Sequence, residues 1–177
     1  WSRGVNRNIF GKVEKANVSL PSPIYIYVGR VAIEKNIKAF LDIKIEGSKI
    51  VVGDGPQFNE LKKKYKDVLF TGMLKEKEVA SYLAASDVFV FPSKTDTFGI
   101  VIIEALAAGV PVAAYPVTGP LDILQNTKAD CLDWDLKESM KKALGIKKEE
   151  CKEIAKQYTW ENCAKVFLQT ASVNLQF

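Results

Sequence analysis

Ile24-Tyr-Ile-Tyr-Val28 is a run of β-branched and aromatic residues that ends directly at Gly29. Such residues favour strands, and glycine favours the turn that follows a strand. Four further runs of this kind follow along the chain, at residues 49–52, 68–71, 88–91 and 111–114. The chain is therefore predicted to contain five strands.

Apolar residues at helical spacing separate these runs. Ile37, Phe40 and Leu41 form one such set, and others lie at residues 58–65 and 79–86. Parallel strands need a long crossover connection, which is usually a helix. The alternation therefore predicts an α/β fold with a Rossmann-like doubly wound parallel sheet, in which ligands bind at the carboxyl ends of the strands.

The pattern changes after residue 126. A short strand is expected near Cys131, and it is followed by a helical C-terminal segment with helices at about 135–144, 148–157 and 160–172. We therefore expect one domain over residues 1–177, with its core at about 22–133.

Two aspartates in this segment need a separate interpretation. Asp133-Trp-Asp135 has the form of a D-x-D metal-binding motif. However, Asp135-Leu-Lys-Glu138 has the form of a capping box, in which both side chains bond to backbone amides. We interpret the pair as the start of a helix and predict no metal site.

The composition limits the chemistry that the chain can perform. It has 177 residues, 47% of them hydrophobic, a formal net charge of +4 and no histidine. Because the usual general base is absent, any chemistry rests on carboxylates, lysine, arginine or backbone groups. Three cysteines without a C-x-x-C pair predict reduced thiols, a cytosolic protein and no zinc site.

The lysines lie in helix-like stretches interleaved with glutamate. This pattern favours solvated helix faces, with a surface facing anionic lipid as the alternative. No apolar run approaches the roughly 20 residues that a membrane span requires. The chain begins at Trp1 and not at a methionine, so we expect it to be one domain of a longer polypeptide.

Glu104 is the one charged residue in an apolar run of helix length, residues 99–109. A helix that is apolar all round is normally buried, and an unpaired buried carboxylate costs several kcal/mol. Glu104 therefore needs a partner, which is either a ligand with a pair of hydroxyls or an internal cation. We favour the ligand.

Thr97-Phe98-Gly99 precedes that helix and has the features of a phosphate-binding turn. The capping hydroxyl of the threonine and the glycine lie where free backbone amides and the positive end of the helix dipole point outward. Glu104 follows about 7 Å along the axis, at about 1.5 Å per residue. Asp96 lies on the other side of the helix start, where it could bond to a sugar attached to the phosphates.

Two cations, Arg30 and Lys35, follow the first strand and could reach the same phosphates. They would neutralise a leaving diphosphate, as Mg²⁺ does elsewhere. Gly53-Asp-Gly-Pro56 resembles the start of a dinucleotide fingerprint, but Phe58 occupies the position of its third glycine. No acidic residue ends the strand at 69–72, so NAD binding is not expected.

Together these motifs resemble the C-terminal domain of the retaining GT-B glycosyltransferases, the family that includes bacterial α-mannosyltransferases and α-glucosyltransferases. The resemblance runs from Arg3 to about Asn126. Its most specific element is the E-x7-E stretch, written here Asp96-Thr-Phe-Gly-Ile-Val-Ile-Ile-Glu104, with aspartate replacing the usual first glutamate. Gly29-Arg-x4-Lys35 and Val52-Gly-Asp-Gly-Pro56 add to it. The sequences Thr-Asp-Thr-Phe-Gly and Tyr-Pro-Val-Thr-Gly-Pro look most like the bacterial mannosyltransferase-like branch.

The resemblance implies a role for each motif. Glu104 would bind the ribose hydroxyls, Arg30 and Lys35 the diphosphate, and Asp96 the sugar, and these four are the catalytic set. The remaining donor-binding residues that it implies are Gly29, Gly53, Gly55, Met73, Leu74, Thr97, Phe98, Gly99, Ile100 and Val101. Among these, Met73 and Leu74 would lie beside the base.

The implied reaction transfers a hexose from a GDP-sugar or a UDP-sugar to an acceptor hydroxyl with retention of configuration. It needs no metal, no cofactor and no protein nucleophile. An N-terminal domain that binds the acceptor, a sugar or a lipid, is missing from this chain, so the chain should bind donor without transferring it. No nucleic acid partner is expected, and the whole enzyme would be cytoplasmic, with peripheral membrane association as a further expectation.

Two other functions remain open at this point. Non-hydrolysing sugar-nucleotide epimerases share the two-domain architecture, but their histidine-dependent features have no counterpart in a chain without histidine. A non-enzymatic module that binds a nucleotide sugar would have the same fold, but it would be expected to lose Arg30, Lys35 or Glu104, and all three are present.

Overall fold

Five parallel strands form the centre of the molecule, as seen in a computed structural model that describes residues 4–96 and 98–173. Their spatial order is β3-β2-β1-β4-β5. Each strand matches a predicted run to within one residue at either end, and the bounds are β1 Ile24–Val28, β2 Ser48–Val52, β3 Val68–Gly72, β4 Val88–Phe91 and β5 Val112–Ala114. The predicted α/β fold with a doubly wound parallel sheet is confirmed.

Helices cover both faces of the sheet, and the described part of the chain also forms a 3-10 turn at Ile33–Lys35. The helices are α1 Arg7–Phe10, α2 Ile37–Leu41, α3 Phe58–Lys64, α4 Glu76–Ala84, α5 Ile100–Ala107, α6 Thr118–Leu124, α7 Leu136–Ala143, α8 Lys148–Ala155 and α9 Trp160–Val173. The predicted helices are present. α1 and α6 were not predicted, because each is short and α6 contains Gly119 and Pro120 in its first turn.

The two faces of the sheet bury separate apolar cores. Alternate residues of one strand point to opposite faces, so Ile26 enters the core beneath α4 and α5, while Tyr25 and Tyr27 enter the core beneath α2, α3 and α7. Both cores are closed by buried helix residues, such as Leu106 in the first and Phe40 in the second. Burial on both faces explains why the strands read as continuous apolar runs.

The order in which the chain adds strands to the sheet reverses between β1 and β4. The chain adds β2 and β3 on one side of β1 and then returns to place β4 on the other side. β1 pairs with both neighbours, through Tyr25 with Lys49 and through Tyr25 with Val88. The loops that follow β1 and β4 therefore leave from adjacent strands at the same edge, which is where ligands bind in sheets of this kind.

The predicted strand near Cys131 was wrong. The segment lies beside β5 but forms only isolated contacts with it: the Cys131 thiol donates to the Val112 carbonyl at 2.9 Å, and the Asp133 amide donates to the Ala114 carbonyl at 3.2 Å. The side chain of Asp130 accepts from the Leu132 amide at 3.3 Å. Such local side-chain bonds compete with a strand ladder, so the segment turns instead.

The start of α7 is capped as predicted, although only half of the capping box forms. The Asp135 carboxylate accepts from the Lys137 amide at 2.9 Å, while Glu138 pairs with Lys141 at 2.6 Å instead of bonding back. Asp133 accepts from the Asp135 amide at 2.8 Å and from Lys142, whose hydrogen bond lowers its pKa. Both aspartates are therefore engaged with the protein.

None of the helices in the described part of the chain combines the length and the apolar character needed to cross a bilayer.

Gly53 allows the loop after β2 to pack closely against the backbone of Gly29, which follows β1. Its replacement provides a test of the fold. Its φ is +129°, and a β-carbon would collide with the Gly29 carbonyl. Gly53→Ala should therefore lower the free energy of unfolding by about 2–3 kcal/mol, measured by urea denaturation. Gly145→Ala is the control, because its β-carbon would be 3.4 Å from the nearest neighbouring atom, the Lys142 carbonyl oxygen. Its effect should stay within about 1 kcal/mol. Equal effects of the two changes would contradict this account.

Candidate functional site

Three contacts join the loops after β1 and β4. The Asn36 side chain donates to the Pro92 carbonyl at 3.1 Å, and the Thr95 hydroxyl donates to the Glu34 carbonyl at 3.4 Å. Lys35 forms an ion pair with Asp96 between the same loops. The two loops are thereby fixed against each other at the carboxyl edge of the sheet.

A cavity of about 430 Å³ opens between these loops, and we call it the switch-point cavity. It is lined by Tyr27, Val28, Gly29, Arg30, Lys35, Phe91, Ser93, Asp96, Phe98, Gly99, Ile100 and Val101. Both predicted cations, one predicted carboxylate and the start of α5 thus meet in one place.

A second cavity of about 710 Å³ lies beside it, and we call it the glycine-loop cavity. Its lining residues are Val28, Gly29, Arg30, Val52, Gly53, Asp54, Gly55, Met73, Leu74 and Val79. The cavities share Val28, Gly29 and Arg30. A ligand with an elongated shape could therefore occupy both, with its middle near Arg30.

The start of α5, Ile100 and Val101, lines the switch-point cavity. Gly99 caps the helix with φ +66°, and a β-carbon there would lie 3.0 Å from Ile102 and 3.1 Å from Phe91. Within residues 4–96 and 98–173, the amides of Ile100 and Val101 have no backbone acceptor. Free amides and the positive end of the helix dipole make this position favourable for an anion.

Arg30 is held only loosely. Its guanidinium lies 3.4 Å from Glu34 and is 63% exposed, which makes this a weak surface pair. Its backbone carbonyl accepts a hydrogen bond from the Tyr27 hydroxyl at 2.7 Å, which fixes the loop. The backbone is therefore ordered while the charged end of Arg30 can turn toward either cavity.

Lys35 and Asp96 neutralise each other across the switch point. Their side chains are only 28% and 24% exposed, so solvent screens the pair less than it would a surface pair. The sequence suggested separate roles for them, at a phosphate and at a sugar. In the structure the two side chains pair with each other, so an anion that drew Lys35 away would leave the Asp96 carboxylate available for a donor such as a hydroxyl.

Glu104 lies on α5 in largely apolar surroundings. Burial and, to a smaller extent, the nearby Glu76 carboxylate raise its pKa to about 7. Among the described residues, no hydrogen bond or ion pair to a cation compensates its charge. Glu104 does not line either cavity. It lies near Glu76, the first residue of α4, which follows the cavity residue Leu74 by two positions. A ligand contact to Glu104 remains a prediction.

Several lining residues were missed by sequence reasoning. Tyr27, Phe91 and Ser93 line the switch-point cavity, and Val79 lines the glycine-loop cavity. Tyr27 and Phe91 were interpreted only as strand residues, although their positions at strand ends could have indicated the edge. Conversely, the predicted site residue Thr97 lies outside the residues that the structure describes. Within those described residues, no group of three or more histidine, cysteine, aspartate or glutamate side chains could hold a metal ion.

Comparison with known proteins identifies related sequences. The model of the family described as glycosyl transferases group 1 matches residues 11–159. The sulfoquinovosyl transferase SQD2 of Arabidopsis thaliana is 33% identical over 137 residues, which cover 70% of this chain and 27% of that protein. A GDP-mannose-dependent alpha-mannosyltransferase of Corynebacterium glutamicum is 36% identical over 135 residues, which cover 71% of this chain and 33% of that protein. The chain thus spans about a third or less of these two relatives' lengths.

A solved structure supports the fold. The crystal structure of Anabaena HepE in complex with UDP and glucose matches with a TM-score of 0.72 at 18% sequence identity. The match covers 96% of this chain and 55% of that one. The parallel sheet and its flanking helices therefore form the same arrangement in both.

The raised pKa of Glu104 predicts a pH-dependent cost in stability. Between the ordinary value of 4.5 and about 7, the unfolded chain loses this proton while the folded chain keeps it. Stability should therefore fall as pH rises through that window and then level off. Glu104→Gln removes the cost, so its free energy of unfolding should exceed that of the parent chain by about 1–3 kcal/mol at pH 8 and match it near pH 4.5.

Urea denaturation between pH 4.5 and 8 measures this difference. Glu60→Gln on α3 removes an exposed carboxylate and controls for the general loss of one negative charge. A Glu104→Gln difference that is constant across this range would show that Glu104 is not protonated in the folded chain at neutral pH.

Proposed function

The chain belongs to the glycosyl transferases group 1 family and has the fold of the C-terminal half of a GT-B enzyme, and on this premise we propose that it is a donor-binding domain. It binds a nucleoside diphosphate sugar for a retaining transfer of a hexose to an acceptor hydroxyl. An N-terminal domain of the same polypeptide holds the acceptor. The chain alone therefore binds the donor and does not transfer it.

The observation that carries this proposal is the convergence of positive groups in the switch-point cavity. Arg30, Lys35 and the first two residues of α5, Ile100 and Val101, line a space of about 430 Å³. A diphosphate carries its charge on several oxygens and accepts hydrogen bonds from amides and cations alike. No other part of a nucleotide sugar requires this combination.

The remaining parts of the donor extend in two directions from the diphosphate. The base enters the glycine-loop cavity, where Gly53 and Gly55 allow close approach of the backbone and Met73 and Leu74 supply apolar contact. The ribose hydroxyls donate to Glu104, and these hydrogen bonds favour the ionised form of a carboxyl whose pKa is about 7 without them. The hexose lies on the opposite side, near Asp96 and Phe98.

Catalysis in this proposal is positioning combined with electrostatic stabilisation. Arg30 and Lys35 neutralise the charge that develops on the departing diphosphate, and the departing phosphate helps to take the acceptor proton. When Lys35 turns to the phosphate, Asp96 is freed to accept a hydroxyl of the hexose. No protein nucleophile, metal or cofactor takes part, and the hexose keeps its configuration.

The donor is a GDP-sugar or a UDP-sugar. One of the relatives is GDP-mannose-dependent, and HepE was crystallised with UDP and glucose. We place the reaction in the cytoplasm, since the buried thiols of Cys131 and Cys151 suit a reducing compartment, and include peripheral association of the whole enzyme with the membrane. No nucleic acid takes part.

Calorimetric titration of the chain with GDP, UDP and ADP tests the proposal. We expect one nucleotide to bind in the micromolar range and Glu104→Ala to weaken its binding by about ten- to a hundredfold, because charge-assisted hydrogen bonds to the ribose are lost. Glu60→Ala is the control and should leave the affinity unchanged, since Glu60 is exposed on α3, which covers the face of the sheet opposite to α5. A folded chain that binds none of the three nucleotides, or binds equally with and without Glu104, contradicts the assignment.

A further inference from the structure

An aromatic pair lies at the carboxyl end of β5, outside both cavities. Tyr115 follows the last residue of β5, and its ring centroid lies 6.3 Å from that of Trp134, with 31° between the ring planes. Tyr115 is 8% exposed, whereas Trp134 is 66% exposed. The buried tyrosine thus supports a tryptophan that presents much of its ring to solvent.

Lys94 connects this pair to the switch-point cavity. Its ammonium lies 4.6 Å from the centroid of the Tyr115 ring. In the chain, Lys94 stands between Ser93 and Asp96, both of which line the cavity. The surface formed by Lys94, Tyr115 and Trp134, which we call the aromatic platform, is therefore continuous with the hexose end of the proposed donor site.

The position of Trp134 is fixed by its neighbours in sequence. The Asp133 carboxylate accepts from the Asp135 amide at 2.8 Å and pairs with Lys142 at 2.7 Å. The Asp135 carboxylate caps α7 through the Lys137 amide. Both neighbours are anchored, so the backbone at Trp134 is ordered before any ligand arrives, and little entropy is lost when a ligand contacts its ring.

The surroundings of Trp134 select the kind of ligand. A lipid chain would need a broad apolar area, yet Trp134 stands between two anchored aspartates in the chain, Asp133 and Asp135. The ammonium of Lys94 lies over the ring of Tyr115, against which Trp134 packs. A pyranose ring fits this combination, because its C–H face packs against an electron-rich aromatic face while its hydroxyls point to charged groups and water. An exposed aromatic ring with a polar border therefore indicates a carbohydrate.

We propose that the aromatic platform is a subsite for a sugar ring of the acceptor, held beside the hexose of the donor. The proposal rests on the proposed function and specifies its acceptor as a glycoside or oligosaccharide. The C-terminal half then contributes directly to acceptor recognition, with Trp134 as the stacking residue and Lys94 as the hydrogen-bond donor at its border.

Nuclear magnetic resonance of the chain tests this with methyl α-mannoside and methyl α-glucoside as probes. The indole resonance of Trp134 is assigned from its loss in Trp134→Phe. We expect a saturable shift of this resonance at millimolar sugar and none with glycerol, which has hydroxyls but no ring. Saturation transfer to the sugar should fall roughly tenfold in Trp134→Ala. It should persist in Trp160→Ala, which removes an exposed tryptophan on α9.

Three results would overturn the subsite: no response of Trp134 to either sugar, an equal response to glycerol or guanosine, or a shift that follows protein concentration without sugar. A parallel titration of the parent chain with GDP and UDP separates the two proposals. If a nucleotide binds while neither sugar shifts the Trp134 resonance, the donor assignment stands and the subsite fails. If neither binds, both fail.

Discussion

The pairing of β1 with β4 is the constraint on which the site depends. The two strands are parallel neighbours, and the chain connections that follow them lead to opposite sides of the sheet. The loops after them therefore leave from one point of the sheet edge. The ion pair between Lys35 and Asp96 then closes the two loops on each other. Without that pairing, the start of α5 and the cations after β1 would not line a common cavity.

Three features at the start of α5 and along it are unusual for a folded chain. Gly99 holds a conformation that side chains rarely adopt, the amides of Ile100 and Val101 lack backbone acceptors among the described residues, and Glu104 bears a carboxyl whose pKa is raised by burial. The buried carboxyl costs stability in the isolated chain, whereas glycine adopts the conformation of Gly99 without strain. In the proposed function, the ribose would supply donors to the carboxyl and a phosphate would accept from the amides. Groups of this kind commonly cluster where a protein binds its ligand.

Much of this architecture could be predicted from the sequence, because buried parallel strands are continuous apolar runs and the glycines mark the turns at their ends. The pairing of Lys35 with Asp96 could not, since it joins residues 61 positions apart through the packing of two loops. The strand near Cys131 was wrong because aspartate side chains bond locally there. Trp134 was treated only as part of a helix start, since nothing in the sequence places it against Tyr115.

The central claim is that a diphosphate binds between Arg30, Lys35 and the start of α5. The most direct measurement is the backbone amide spectrum of the chain during titration with a nucleoside diphosphate and, separately, with the same nucleoside lacking phosphates. The account predicts large downfield shifts of the Ile100 and Val101 amides with the diphosphate and small ones with the nucleoside. Equal shifts with both, or diphosphate-dependent shifts that spare these two amides, would contradict it.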